Sequence, residues 1–398
     1  MKPAPPVSHR KADGMELTSD ALVNSLLALG VAAVVATLWV WPRLAPQRPL
    51  PVLGRIGLLT VVQASVLAVL ALSVNNSFGF YTSWDDLLSP GGAKLALTGS
   101  ANHKGGTPVS DALVQPTTEG GLETITNLPK GPPEEVGRIE SVRVSGKETG
   151  FSDQMFVYLP PAYFDQKLAL VRFPVLLAIA GYPGTTLNLL HELPFAQTAI
   201  DLQRSGRMPP TVLVMARPAV VPSRDTECVD VPGGPRTETW FVKDVPEAIR
   251  SSYRVGRTAG SWGTLGYSTG GSCALRLAMR FPNVYGNAAS LHGDFTVRQD
   301  NYTGGDLFNG DKALTQQHDL GWRLQNLPVP ALNLLAVSTR TEGDYPQTVQ
   351  FVDQATRAAA GNPQFTIDSL YLDDGGHNFD SWTRELPATL EWLGSHLG

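Results

Sequence analysis

Two stretches near the start of the chain are apolar all the way round. Ala21 to Trp41, "ALVNSLLALGVAAVVATLWVW", carries no charge, and neither does Ile56 to Val74, "IGLLTVVQASVLAVLALSV". Each is about as long as the roughly 20 residues that cross a hydrocarbon core of about 30 Å. Neither has the polar face that a surface helix of a soluble protein presents. The pattern predicts two transmembrane helices within residues 21–74, after an N-terminal tail, residues 1–20. The competing readings are a cleaved signal peptide for the first stretch and a buried helical hairpin for both. A signal peptide has a shorter apolar core, about 7–15 residues, with its basic flank in front.

Between about residues 75 and 139 the pattern breaks down. "SPGGAKLALTGSANHKGGTPVS" and "LPKGPPEEVG" are rich in Gly, Pro, Ser and Thr, with apolar residues at neither helical nor strand spacing, so this range reads as a spacer. From 140 to 398 short apolar runs alternate with helical periodicity. Eight strands are expected, at 140–146, 154–159, 173–180, 211–217, 261–267, 284–290, 332–338 and 366–372. Helix-like segments fall at 187–205, 244–254, 269–281, 312–325, 345–360 and 382–397. The first two runs are joined only by "KETGFSD" and read as an antiparallel pair. The later runs, continuous in apolar residues and separated by helices, read as a buried parallel sheet covered on both faces.

Charge narrows the possible partners. A formal net charge of −5, with no basic cluster and no glycine-rich phosphate loop, argues against nucleic acid and nucleotides. Arg43, Arg48 and Arg55 lie between the two apolar stretches with no acid among them. The positive-inside rule then places this loop in the cytoplasm and both chain ends outside, as a multi-pass protein of the cell membrane with an extracytoplasmic C-terminal domain. Lys2, Arg10 and Lys11 oppose that orientation and are offset by Asp13, Glu16 and Asp20. The two cysteines, Cys228 and Cys273, can form a disulfide in an oxidising compartment or stand as separate buried thiols. Without nearby histidines they are not a zinc pattern.

Candidate chemistry sits in "LGYSTGGSCALRLAMRF". Ser268 lies between Gly266 and Gly270, after a predicted strand and before a predicted helix, which is the setting of a nucleophile elbow. A serine needs a base, and His377 in "YLDDGGHNFDSW" follows the last strand in a glycine-bearing loop. His292, after strand 284–290, can line the pocket, while His191 and His318 fall in helix-like stretches and read as surface residues. The acid that orients His377 is expected after the penultimate strand, at Glu342 in preference to Asp344, with Asp294 as a third candidate. An oxyanion needs two backbone donors. Thr269 can give one and Tyr182, in "AGYPGT", the other.

These residues resemble the esterase family of α/β-hydrolases that includes esterase D, feruloyl esterase domains and the mycolyltransferases of actinobacteria. "VYLPPAYF" resembles the family's first strand, "GYSTGG" its elbow and "GGHNFDSW" its histidine loop, and the resemblance covers about residues 140–398. It implies an α/β-hydrolase sheet, acyl transfer through Ser268 and His377, and no need for a metal or cofactor. The expected activity is hydrolysis of a carboxylic ester of unknown identity. The alternatives are an acyltransferase acting on hydroxyls of the cell envelope, and a membrane-tethered binding module that keeps the fold without catalysis.

Overall fold

The computed structural model describes residues 19–45, 48–78, 84, 112–125, 128, 130–221 and 224–398. The tail before residue 19 and most of the expected spacer lie outside the described residues. The chain divides into two compact units, 1–92 and 93–398.

In the first unit, helix α1 (Asp20–Val40) begins at Ser19, whose hydroxyl accepts from the Leu22 N–H. A 3-10 turn at Trp41–Leu44 leads on to α2 (Pro49–Phe78). Both helices are long and apolar enough to cross a membrane. They pack on each other where residues are small, with Gly30 against Ser65. Leu27, Val35, Leu38, Leu67 and Leu70 are exposed, so these are not core helices of a water-soluble fold. Hydroxyls along them are spent internally: Ser25, Thr37, Thr60 and Ser65 each donate to the carbonyl four residues earlier. That is how a polar side chain is satisfied where water is absent. At the turn, the guanidinium of Arg43 sits 4.7 Å from the ring centre of Trp39, and that of Arg55 5.7 Å from Trp41, a pairing suited to a membrane–water boundary.

The second unit is built on one sheet. Its strands are β1 (Val114–Pro116), β2 (Arg138–Ser145), β3 (Ser152–Leu159), β4 (Val175–Ile179), β5 (Val212–Ala216), β6 (Trp262–Tyr267), β7 (Asn287–Leu291), β8 (Leu332–Thr339) and β9 (Phe365–Leu372), in the order β1-β2-β3-β5-β4-β6-β7-β8-β9. The first three pair antiparallel as far as β5, and from β5 across to β9 every pairing is parallel. All eight expected strands are present. The sheet nevertheless has nine strands, because Val114 to Pro116, inside the range read as spacer, pair with β2. Three residues are too few to carry an alternating signal.

Alternation along the strands divides the core in two. Val175, Leu177 and Ile179 of β4 face one layer, and Leu176 and Ala178 the other. The first layer is filled by Trp240 and Phe241 of a π-helical turn, by α4 (Val245–Ser252), α5 (Thr269–Arg280), α7 (Leu320–Asn326) and α8 (Tyr345–Ala359). The second is filled by α3 (Phe195–Arg204) and α9 (Phe379–His396). Helix α6 (Lys312–His318) lies between α5 and α7 in the chain. From β4 the chain runs outward to β5 and then returns to β6 on the other side. This reversal makes the carboxyl ends of β4 and β6 the topological switch point, the place where open α/β sheets bind ligands.

Cys228 and Cys273 are joined, with Cα atoms 5.5 Å apart. The bridge ties the long segment between β5 and α4 to α5. Beside it the fully buried Arg276 donates to the Glu227 carbonyl and lies 3.5 Å from the Glu227 carboxylate. Closing a loop of this size limits the unfolded chain, so a Cys228→Ser/Cys273→Ser double variant is expected to lose about 2–4 kcal/mol in denaturant unfolding. An unchanged midpoint would show that the cross-link contributes nothing.

Candidate active site

Ser268 stands at the sharp turn between β6 and α5, with φ 55° and ψ −128°. A non-glycine residue adopts a positive φ only when its surroundings impose it, and here they do. A Cβ on Gly266 would lie 2.2 Å from the Gly270 backbone, and one on Gly270 2.0 Å from the Ile179 carbonyl oxygen. The two glycines therefore let β6, α5 and β4 close on one another. The Ser268 N–H donates to the Leu291 carbonyl at 2.9 Å, which fixes the turn to β7.

The hydroxyl is left facing His377. His377 Nε2 is 2.8 Å from Ser268 Oγ, and its Nδ1 is 2.7 Å from Glu342 Oε1. Each partner arrives from a different strand end: Ser268 after β6, Glu342 after β8, His377 after β9. Two of these loops are stitched together, since the Thr341 hydroxyl donates to the Gly375 carbonyl and accepts from the Gly375 N–H. Gly375 needs its φ of 144° there, and a Cβ would come within 2.5 Å of Ser381 Oγ.

Asp344 and Asp294 do not meet His377. Asp294 binds Arg298 through both oxygens, and Asp344 lies 3.6 Å from the same guanidinium. Tyr182 follows Gly181, whose Cα lies so near Ser268 that a Cβ would come within 3.1 Å of the serine Cβ. Thr269 opens α5, where the first N–H groups have no partner within the helix. Its hydroxyl is 3.4 Å from Asp225. His191 is exposed as expected, but His318 is buried, its ring against Phe308 and its Nε2 3.3 Å from Glu238. It closes the gap between α6 and the helical turn that carries Glu238.

Two further groups lie behind the site. His292, at the end of β7, lines a small cavity with Asp294, Ser338 and Glu342, as expected, and its side chain is buried. Its Nδ1 forms an ion pair with Glu342 Oε2, and its Nε2 lies 2.9 and 3.0 Å from the two oxygens of Glu385 on α9. Trp382 packs edge-on against both His292 and His377 and stacks on Tyr267. The polar stretch "WTRELP" gives no sign that Glu385 faces inward.

A family model described as "Putative esterase" matches residues 147–393. The chain belongs to this esterase family. An uncharacterized protein of Corynebacterium glutamicum is 26% identical over 293 residues, which is 70% of this chain and 66% of the relative, just under two thirds of its length. Among solved structures, a ferulic acid esterase is similar over 65% of this chain and 98% of its own, with a TM-score of 0.55 at 15% identity. The fluorophosphonate-binding serine hydrolase F of Staphylococcus aureus (66% and 99%, TM-score 0.52, 14% identity) and an S-formylglutathione hydrolase of Agrobacterium tumefaciens (68% and 99%, 0.52, 14%) are similar in the same way. At these identities the likeness is one of fold, and the fold is the α/β-hydrolase sheet with its helices.

Burial alone would raise the Glu342 carboxyl, but the hydrogen bonds to His292 and His377 outweigh it and hold this group at about 2. Burial would likewise lower His292, yet Glu342 and Glu385 together push it up to about 9. Burial raises Glu385, with His292 opposing. Asp225, beside Thr269, is raised by burial to about 6. Nitrogen and oxygen atoms of His292, Glu342 and His377 lie within 4.8 Å of one another, close enough for a metal ion. Each of them is already engaged in the hydrogen bonds and ion pairs just described.

These shifts contribute to the pH dependence of stability. Glu342, lowered from 4.5, contributes stability that is present above 4.5 and lost as pH falls toward about 2. His292, raised from 6.5, contributes stability that is present below 6.5 and lost as pH rises through about 9. Denaturant unfolding between pH 6.5 and 9.5 should therefore show a steeper decline than in a His292→Asn variant, which keeps only the smaller loss from groups such as buried Glu227, raised to about 8. Equal alkaline declines in both proteins would rule out His292 as its source.

Proposed function

We propose that this chain is a membrane-anchored serine esterase that hydrolyses carboxylic esters through an acyl-enzyme on Ser268. The observation that carries the reading is the unbroken line from Ser268 Oγ to His377 Nε2 and from His377 Nδ1 to Glu342. Ser268 Oγ attacks the ester carbonyl carbon while His377 Nε2 takes the hydroxyl proton. The carbonyl oxygen becomes an oxyanion and receives hydrogen bonds from the Thr269 and Tyr182 N–H groups. When the tetrahedral species collapses, the carbon–oxygen bond to the alcohol breaks and the alkoxide leaves with the proton held by His377. Water then attacks the acyl-serine with His377 again as base, releasing the acid and restoring Ser268. Glu342 keeps the imidazole oriented and balances its charge in both steps. The matched relatives support the ester as substrate class without deciding the acyl group.

The two apolar helices support anchoring in a membrane, and Arg43, Arg48 and Arg55 support a cytoplasmic loop between them. The catalytic unit is then outside, in keeping with the Cys228–Cys273 bridge. A Ser268→Ala variant should remain folded and lose about 10⁴-fold or more in p-nitrophenyl ester turnover, since triad members act as a unit. Undiminished turnover would remove Ser268 from the mechanism. A reporter that works only outside the cytoplasm should be active when fused after Gly398, and silent when fused between Arg43 and Arg55. The reverse pattern would put the site in the cytoplasm.

A further inference from the structure

His292 and Glu385 lie directly behind Ser268, His377 and Glu342. The Ser268, His377 and Glu342 arrangement uses one oxygen of Glu342. The second oxygen accepts from the Ser338 hydroxyl at 3.3 Å and is in ion-pair contact with His292 Nδ1, and His292 Nε2 faces both oxygens of Glu385. The side chains of His292 and Glu385 are fully buried and that of Glu342 nearly so. Carboxylates accept hydrogen bonds and do not donate them, and a neutral imidazole has a single N–H. With a carboxylate facing each ring nitrogen, only the doubly protonated ring satisfies both.

We propose that His292 is a positioning residue: a buried imidazolium that, together with Glu385, clamps the second oxygen of Glu342 and sets how strongly Glu342 attracts the proton on His377. This rests on the reading of Ser268, His377 and Glu342 as a triad. The charges can be counted. At rest Glu342 and Glu385 are negative, His292 is positive and His377 is neutral, a net charge of −1. When His377 takes the serine proton, the cluster becomes neutral. Without the His292 charge, two carboxylates would pull on His377, hold its proton too firmly and weaken it as a base near neutral pH. Without Glu385, the cation would face Glu342 alone, and the attraction on His377 would fall. Of the other charged groups nearby, Asp294 and Asp344 are paired with Arg298, Arg384, beside Glu385 in the chain, is paired with Asp374 and Asp380, and the His377 ring lies 6.0 Å from that of His292. The backbone holds His292 in this position, at φ 56° with its N–H donating 3.0 Å to the Val337 carbonyl.

The test uses the full-length chain in detergent. Glu385→Gln removes one charge and keeps the shape. The acid limb of its kcat/KM profile should move to lower pH by about half a unit or more, because a negative charge near His377 is gone. Its kcat should fall by roughly tenfold while KM stays within about twofold. His292→Asn should lose more, and adding Glu385→Gln to it should recover part of the loss, because the second change removes the carboxylate left unpaired. A purely structural role would lower the amount of active enzyme and leave the acid limb in place. An unmoved or upward-shifted limb in Glu385→Gln therefore overturns the proposal. Nitrogen-15 spectra of histidine-labelled wild-type protein, assigned with His292→Asn, give a second readout that needs no turnover. Both ring nitrogens of His292 should show protonated shifts from pH 5 to pH 8. A neutral ring at pH 7 overturns the proposal even in a fully active enzyme. Failure of Ser268 to react with a fluorophosphonate would instead remove the triad reading and leave the spectra to decide the charge of His292.

Discussion

The edge of the sheet that carries Ser268 depends on one close approach, that of the Gly270 backbone to the Ile179 carbonyl, where a Cβ would come within 2.0 Å. It brings the start of α5 against the end of β4, and Gly181, just after β4, lies close beside Ser268. The same approach forces the serine into a positive φ and lifts its hydroxyl clear of the sheet toward His377. The strain is borne by the surrounding structure: the Ser268 N–H is spent on Leu291, β6 is buried along its whole length, and α5 is bound to the β5–α4 segment by a disulfide and by Arg276. Rigid elements rather than loops hold Ser268. Positioning of this kind is what lets a modest base activate a hydroxyl.

The opposite side of the site is organised by charge. Glu342, low in pKa and nearly buried, serves two histidines at once, one facing the serine and one facing Glu385. An unpaired carboxylate in that position would be costly. Pairing with His292 makes its burial tolerable and removes the freedom to rotate away from His377. Trp382 seals the pair from solvent on the α9 side, so stability, orientation and proton affinity rest on the same few atoms.

Much of this was legible from the residues alone. The eight longer strands announced themselves as apolar runs, and "GYSTGG" and "GGHNFDSW" located Ser268 and His377 because elbow and histidine loop have local signatures. Glu342 was preferred for its nearness to the strand end, and it is the carboxylate that meets His377, while Arg298 takes Asp294 and lies beside Asp344. What escaped was non-local. Strand β1 is too short to carry a period, and its partner lies about 30 residues further on. The buried role of His292 and the whole role of Glu385 depend on α9 folding back over β7, which spans 93 residues of sequence. His318 looked like a surface residue because its partners, Phe308 and Glu238, are not on its own helix. The cysteine pairing was likewise open until the fold brought the two Cα atoms together.

The central claim is that Ser268 carries the acyl group between substrate and water. The most direct measurement is acid quenching of the enzyme within milliseconds of mixing with a p-nitrophenyl ester, followed by peptide mapping by mass spectrometry. The account predicts a burst of p-nitrophenol equal to the enzyme present, and an acyl mass on the peptide bearing Ser268 and on no other. An acyl group on a different residue, or steady turnover with no covalent species at any time, would contradict it.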